Sequence, residues 1–201
     1  MRSDKSLALI MAAGYSRRFG SDKRLAQLAD GRTLLATTLS AAMDAFEQVR
    51  VVVNTQVVPT DLGIPEAMAL VIRPVAPVGL GGSIAHAVRA LHIEQLPRNI
   101  DSIAICLGDM PWVKPETYGL LAARATANTI LRPVYSNIPG HPVFFGRSFW
   151  PALADNLDDQ GARSVLAQFL DKFVAEPVAD PGVVYDIDYP SAIRELNRTC
   201  R

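Results

Sequence analysis

Apolar residues along this chain gather into short runs, and between them lie longer stretches in which apolar positions recur with helical spacing. The runs Leu7–Met11, Val49–Val53, Ala69–Ile72, Ser102–Leu107, Thr129–Pro133, Val143–Phe145, Phe173–Val178 and Val183–Ile187 predict strands, several of them rich in Val and Ile. Leu7–Met11 is apolar without alternation, as expected of a strand buried on both faces of a parallel sheet. Helical spacing marks Thr33–Phe46, Gly82–Leu91, Pro115–Ala125, Arg147–Asn156, Ala162–Leu170 and Pro190–Arg198, with Pro115 and Pro190 suited to first-turn positions. Strands alternating with helices predict an α/β fold whose mainly parallel sheet is covered on both faces. Ligands of such sheets bind beyond the carboxyl ends of the strands, so the residues just past each strand carry the chemistry.

Composition narrows the picture. A chain of 201 residues predicts one domain over 1–201 with a substantial core. Twenty basic and twenty acidic side chains cancel, so no global field favours nucleic acid or an anionic membrane, and any anion site must be local. Cys106 in an apolar strand and Cys200 near the terminus lack metal-type spacing, and they read as reduced thiols of a cytoplasmic protein. The N-terminal apolar run is too short to span a membrane and leads into Arg17-Arg18 rather than a cleavage site. No repeat or long linker divides the chain, and the Pro-containing joints at Pro59 to Pro65 and Pro74 to Pro77 read as loops.

The strand Leu7–Met11 runs into Ala12-Ala13-Gly14, small residues that let the backbone approach a ligand and turn its N–H groups toward an anion. Arg17, Arg18 and Lys23 come next, within reach of phosphate oxygens, which predicts a triphosphate cradle; an ordinary β–α turn with solvated cations is the alternative. Gly14 and Gly20 are separated by five residues and Lys23 stands three past the second glycine, so neither the P-loop nor the dinucleotide fingerprint fits.

Three further segments bear on the same edge. After Ser102–Leu107, Gly108-Asp109-Met110-Pro111 sets a carboxylate where an Mg²⁺ ion bridging phosphates needs an oxygen ligand, unless Asp109 only shapes a turn. In Tyr185-Asp186-Ile187-Asp188, an extended backbone would put both aspartates on one face to complete a metal site, whereas Asp188 could instead cap the Pro190 helix. Gly79-Leu80-Gly81-Gly82-Ser83 reads as a flexible turn able to hold base and ribose, or as a helix cap at Gly82 or Ser83. His86 and His92 read as surface or packing residues. His141 on a Gly-His-Pro turn and Arg163 in the first turn of a helix are candidates for an acceptor and its phosphate; a plain turn residue and a surface pairing with Asp158 or Asp159 are the alternatives.

Taken in order, Ala-Ala-Gly with Arg18 and Lys23, Gly-Leu-Gly-Gly-Ser-Ile, Leu-Gly-Asp-Met-Pro, Gly-His-Pro-Val-Phe-Phe-Gly-Arg, Gly-Ala-Arg and Asp-Ile-Asp-Tyr-Pro resemble the molybdenum cofactor cytidylyltransferase family, within the MobA-like NTP transferases. The resemblance spans nearly the whole chain. It implies a three-layer α/β/α Rossmann-like nucleotidyltransferase fold with a mainly parallel mixed sheet, a bound nucleoside triphosphate and Mg²⁺. It also implies that Ala12, Ala13 and Gly14 approach the nucleotide, that Arg18 and Lys23 contact its phosphates, and that Gly79, Gly82 and Ser83 lie by the base and ribose. Asp109 with Asp188, or Asp186, would hold the metal, and Lys23, Arg18 and Asp109 would carry catalysis. His141 and Arg163 would face a phosphorylated pterin-type acceptor, with a molybdoenzyme or its chaperone as a further partner. Ala13, where guanylate-transferring relatives have Gly, points to CTP over GTP. Transfer of CMP to molybdenum-bound molybdopterin with release of pyrophosphate is the implied reaction. A different phosphorylated acceptor or triphosphate, and a noncatalytic cofactor-delivery protein, are the alternatives.

Overall fold

The computed structural model describes residues 2–14, 19–75, 78–91, 96–156, 161–189 and 192–193. Its eight strands are β1 (Ser3–Met11), β2 (Phe46–Asn54), β3 (Ala69–Ile72), β4 (Ser102–Leu107), β5 (Ile130–Tyr135), β6 (Ile138–Pro139), β7 (Val143–Gly146) and β8 (Phe173–Pro177). They form one sheet in the order β3-β2-β1-β4-β7-β5-β6, with β8 also paired to β5. The pairs β1–β2, β1–β4, β2–β3 and β5–β8 are parallel, while β4–β7, β5–β7 and β5–β6 are antiparallel. Among the described residues the helices that order the fold are α1 (Leu34–Ala45), α2 (Leu80–Ala90), α3 (Pro115–Arg124), α4 (Trp150–Asp155) and α5 (Arg163–Gln168).

The unbroken apolar run of β1 reflects its two covered faces. Ala8, Ile10 and Ala12 join a layer with Leu35 and Leu39 of α1 and Tyr118 and Leu121 of α3. Leu7, Leu9 and Met11 join the opposite layer with Ile84 and Val88 of α2, Leu153 of α4 and Val165 of α5. The sheet is therefore the middle of three layers, as predicted. Small residues on the α1/α3 face, Ala8 and Ala104, leave room for Phe46, whose ring centroid lies 5.7 Å from that of Tyr118 and 6.1 Å from that of Phe144. On the other face the Trp150 indole N–H donates to the Phe145 carbonyl at 2.9 Å, so the largest buried side chain is also satisfied.

Most predicted elements are present, with shifted ends. Helix α2 starts at Leu80 rather than Gly82, the stretch from Arg147 begins as a 3₁₀ turn (Arg147–Phe149) before α4, and the stretch from Ala162 closes in a 3₁₀ turn at Leu170–Lys172. Strand β6 has no counterpart among the predicted strands. It exists because Ser136 and Asn137 take positive φ, 48° and 66°, the turn geometry that folds β5 back on itself. The predicted strand Val183–Ile187 is a correction. Pro181–Val184 is a 3₁₀ turn whose Val183 is buried in the α1/α3 layer, and Pro181 has no N–H for a ladder. The helix expected over Pro190–Arg198 lies almost wholly outside the described residues, as do His92 and Cys200. Cys106 is a buried free thiol. No helix among the described residues is long and apolar enough to cross a membrane.

Candidate active site at the carboxyl edge of β1 and β4

The chain runs from β1 outward to β2 and β3, then returns to β4 on the other side of β1. This reversal opens a crevice at the strands' carboxyl ends, and there Met11 of β1 pairs directly with Leu107 of β4. Two side chains fix the segment leaving β1. Asn54, at the end of β2, donates to the Ala13 carbonyl at 2.9 Å, and Arg24 donates to the Ala12 carbonyl at 2.7 Å. Ala12 and Ala13 are buried and Gly14 is exposed. Arg17 and Arg18 lie outside the described residues.

Lys23 is aimed by its neighbours. The Asp22 carboxylate caps a 3₁₀ turn at Lys23–Leu25 and accepts from Arg24 at Nε (2.7 Å) and Nη2 (2.6 Å), and the Arg24 bond holds it below the usual carboxylate range. Arg24 thereby ties the turn back to the end of β1. The Lys23 ammonium donates to Asp109 Oδ2 at 2.5 Å, to the Ile187 carbonyl at 3.4 Å and to Asp188 Oδ1 at 3.5 Å. Burial disfavours its charge, yet the attraction and hydrogen bonding of Asp109 and Asp188 outweigh that and hold it above its ordinary value.

Asp109 is positioned by Gly108, whose N–H extends the β4 ladder to the Met11 carbonyl at 3.1 Å and whose carbonyl accepts from Thr38 at 3.3 Å. A Cβ on Gly108 would lie 3.0 Å from that Met11 oxygen, so a glycine keeps the two strand ends together. The Asp109 carbonyl in turn accepts from Ile187 N at 3.1 Å, and Ile187 is fully buried. Asp186 and Asp188 flank this anchor. They are joined to Asp109 by that backbone bond and by Lys23, not by the strand expected over Val183–Ile187. One oxygen from each of Asp109, Asp186 and Asp188 lies within 4.8 Å of the others. Burial, then Asp109 and Asp188, push the Asp186 carboxyl up.

This donor set suits a hard divalent cation. It offers only carboxylate oxygens, with no thiolate or imidazole, and its spread is close to the roughly 4.2 Å between opposite ligands of six-coordinate Mg²⁺.

The Gly-rich segment differs from the flexible turn expected. Gly79 is the N-cap of α2, while Gly81, Gly82 and Ser83 already belong to the helix and are buried, Ser83 N donating to the Gly79 carbonyl at 3.0 Å. A Cβ on Gly82 would come 2.7 Å from Val78 Cβ, so this glycine serves the tight entry to the helix.

His141 stands on the same edge, because β7 pairs Val143 with Ile105 and His141 therefore falls beside Leu107, two residues before Asp109. Its backbone N–H donates to the Val183 carbonyl at 2.7 Å and its Nδ1 lies 3.5 Å from the Ile105 carbonyl. Burial, and then the charge of Arg132, push the ring down to about 4, so it is neutral at pH 7. Arg132 donates from Nε to the Gly140 carbonyl at 2.9 Å, and its guanidinium is held below its usual range by burial and by Arg163, the first residue of α5.

The sequence pattern does not single out Asn54, Arg24 or Arg132. Arg132 leaves a trace: it is a cation inside the run Ile130-Leu131-Arg132-Pro133-Val134, where a strand interior predicts an apolar residue. Asn54 leaves another, a polar residue ending the apolar run of β2.

Comparison with known proteins places this geometry in a family. The family model described as a MobA-like NTP transferase domain matches residues 8–173. The purine catabolism protein PucB of Bacillus subtilis is 27% identical over 208 residues, covering 98% of each chain. Among solved structures, Rv0371c of Mycobacterium tuberculosis superposes with a TM-score of 0.79 at 24% identity, over 98% of this chain and 100% of that one. That protein has also been solved as a manganese complex. The molybdopterin-guanine dinucleotide biosynthesis protein A of Archaeoglobus fulgidus shares the same fold with a TM-score of 0.69 at 21% identity, over 96% and 97% of the two chains. With the family model covering most of its length and the sheet order and carboxyl-edge crevice in place, the chain belongs to the MobA-like NTP transferase domain family and is a nucleotidyltransferase domain.

Proposed function

We propose that this single domain transfers CMP from CTP to the terminal phosphate of molybdenum-bound molybdopterin and releases pyrophosphate. The observation that carries the reading is the meeting of the Lys23 ammonium with Asp109 and Asp188 at the crevice between β1 and β4. Ala13 in the turn favours CTP over GTP. The molybdopterin-related name of the Archaeoglobus protein supports the acceptor, and the manganese complex of Rv0371c supports a divalent ion.

In this reading Asp109, Asp186 and Asp188 hold Mg²⁺, which when bound supplies positive charge to the triphosphate. Ala12 to Gly14 approach the nucleotide, with Ala12 anchored by its N–H donating to the Val52 carbonyl at 2.9 Å, Arg18 and Lys23 on its phosphates, and Gly79, Gly82 and Ser83 at the base and ribose end. An oxygen of the acceptor phosphate attacks the α-phosphorus in line, and the bond from that phosphorus to the β-bridging oxygen breaks as pyrophosphate leaves. No protein nucleophile or proton transfer is needed. Catalysis is positioning together with neutralisation of charge on the phosphate oxygens, and Lys23 provides the latter at the α-phosphate. The protein works in the cytoplasm, and a molybdoenzyme or its chaperone receives the product.

The test is pyrophosphate release from CTP and from GTP with molybdenum-bound molybdopterin and Mg²⁺. CTP should be used in preference, and Lys23→Ala or Asp109→Ala should lower turnover by about a hundredfold or more, the scale of a lost electrostatic stabiliser. A near-normal rate in either variant, or no pyrophosphate with any triphosphate, overturns the assignment.

A further inference from the structure

The segment that leaves β1 departs from strand geometry in one respect. The Met11 carbonyl faces β4, where it accepts from Gly108 N at 3.1 Å, and the Ala12 N–H faces β2, where it donates to the Val52 carbonyl at 2.9 Å. Ala12 and Ala13 fall in opposite core layers, so the backbone is still extended through them and the Ala12 carbonyl stays on the β2 side. Arg24 Nη1 donates to it there at 2.7 Å. An undisturbed strand would turn the next carbonyl, that of Ala13, toward β4. Asn54 at the end of β2 takes it instead, its Nδ2 donating at 2.9 Å.

Both side chains are themselves fixed. Asn54 is buried, and its Oδ1 accepts from Gln56 N at 3.0 Å, so the amide presents Nδ2 to the Ala13 carbonyl. The Arg24 side chain is 13% exposed, and its Nε and Nη2 are held by the two Asp22 oxygens at 2.7 and 2.6 Å while Nη1 reaches Ala12. Within a trans peptide unit, C=O and N–H point opposite ways. Carbonyls of Ala12 and Ala13 drawn to the β2 side therefore send the Ala13 and Gly14 N–H groups the other way, toward the crevice where β4 leads into Asp109. Two successive N–H groups on one side make a concavity that takes an anion. Gly14 is exposed, and among the described residues nothing lies within 4 Å of where a Cβ on it would stand, which leaves the approach open.

We infer that Asn54 and Arg24 are positioning residues that hold the Ala13 and Gly14 N–H groups toward a phosphate oxygen of the nucleotide. The identity of that oxyanion as part of a nucleotide rests on the proposed transferase function; the N–H pair and its two clamps do not. Arg24 has a second effect. The Asp22 carboxylate that it grips caps the turn carrying Lys23, so one side chain sets the spacing between the segment after β1 and that turn.

The test follows the Ala13 and Gly14 amides by nuclear magnetic resonance as Mg²⁺ and inorganic tripolyphosphate are added to the protein, with affinity measured by calorimetry. Both amide protons should move downfield on binding. Arg24→Met and Asn54→Leu should each weaken tripolyphosphate by about tenfold, as expected of a lost charge-assisted hydrogen bond. Each should also abolish the shift at the amide that follows the released carbonyl, Ala13 for Arg24→Met and Gly14 for Asn54→Leu. Arg24→Lys keeps a donor for the Ala12 carbonyl and should recover part of both effects. A merely structural role would lower the melting temperature and leave these two amides responding. If Asn54→Leu does not fold, the Arg24 variants carry the test. Affinity and shifts unchanged in the folded variants, no shift at either amide of the wild-type protein, or no binding of tripolyphosphate overturns the proposal. The same titration with CTP separates the two readings. Amide shifts with tripolyphosphate, while CTP binds no more tightly, remove the nucleotide and leave the clamped N–H pair; CTP turnover without amide shifts leaves the transferase and removes the clamps.

Discussion

Lys23 sits where three carboxylates would otherwise repel one another, 2.5 Å from Asp109 and 3.5 Å from Asp188. Asp186 bears the residual strain of the cluster, its carboxyl raised by burial and by its two acidic neighbours. A carboxyl with a raised folded-state pKa is protonated in both states below its unfolded value near 3.8, and it costs stability as pH rises through the folded value. Asp186→Asn should therefore raise the melting temperature at pH 7 without divalent ions, and the gain should vanish below about pH 3.8. The same variant should weaken Mg²⁺ binding. Thermal melts across pH with and without Mg²⁺ check both, and an unchanged or lowered melting temperature at pH 7 contradicts the account.

His141 has the opposite sign. Its folded-state value near 4 lies below the ordinary 6.5, so its contribution is full above pH 6.5 and is lost as pH falls toward 4. A shift of that size corresponds to about 3 kcal/mol at most. His141→Gln should flatten the fall in stability between pH 6.5 and 4, measured by denaturant unfolding at several pH values. At this scale the carboxylates and Lys23 are legible in the sequence because each comes after a strand or a small-residue turn in a recognisable order. Arg132 is not, because its partners are the Gly140 carbonyl and Arg163, eight and thirty-one positions away, and only the folded sheet brings them together.

Among the elements, the segment carrying Asp186 and Asp188 owes its position to Asp180. That buried carboxylate accepts from Lys114 N at 2.9 Å, Thr117 Oγ1 at 2.7 Å and Gly182 N at 2.9 Å, joining the start of α3 to the 3₁₀ turn Pro181–Val184. Gly182 allows the approach, since a Cβ there would fall 2.1 Å from the Trp112 carbonyl oxygen. Asp180→Ala strands three donors and should cost about 3 kcal/mol. It should also weaken Mg²⁺ binding although Asp180 lies outside the acidic cluster. Unfolding curves and metal titration test the two effects together. The strand reading of Val183–Ile187 fails for a physical reason: apolar residues there fill the α1/α3 layer from a turn, and periodicity cannot separate a buried turn from a short strand. The buried strands β1, β2 and β4 read clearly because both of their faces are covered. Helix α2 reads two residues short, since its glycines suggest a loop until Val78 is seen packed against Gly82.

For the molecule as a whole, the sheet order does the positioning. Parallel β1 and β4 lie side by side with their carboxyl ends level, so the turn after β1, the Gly108-Asp109 step after β4 and the His141 turn before β7 share one edge. A formal net charge of zero leaves no global field to attract a polyanion, so in the proposed reading the attraction is local to this edge, where Lys23 meets Asp109 and Asp188. The family explains why a nucleotide belongs there; a fold of this kind leaves the base and the acceptor to be set by individual residues. The most direct test of the central claim is calorimetric binding of CTP, GTP, ATP and UTP to the purified protein, each with and without Mg²⁺, repeated with Asp109→Ala. The account predicts tightest binding for CTP, dependence on Mg²⁺, and loss of that dependence in the variant; no binding of any triphosphate, or binding indifferent to both Mg²⁺ and Asp109, would contradict it.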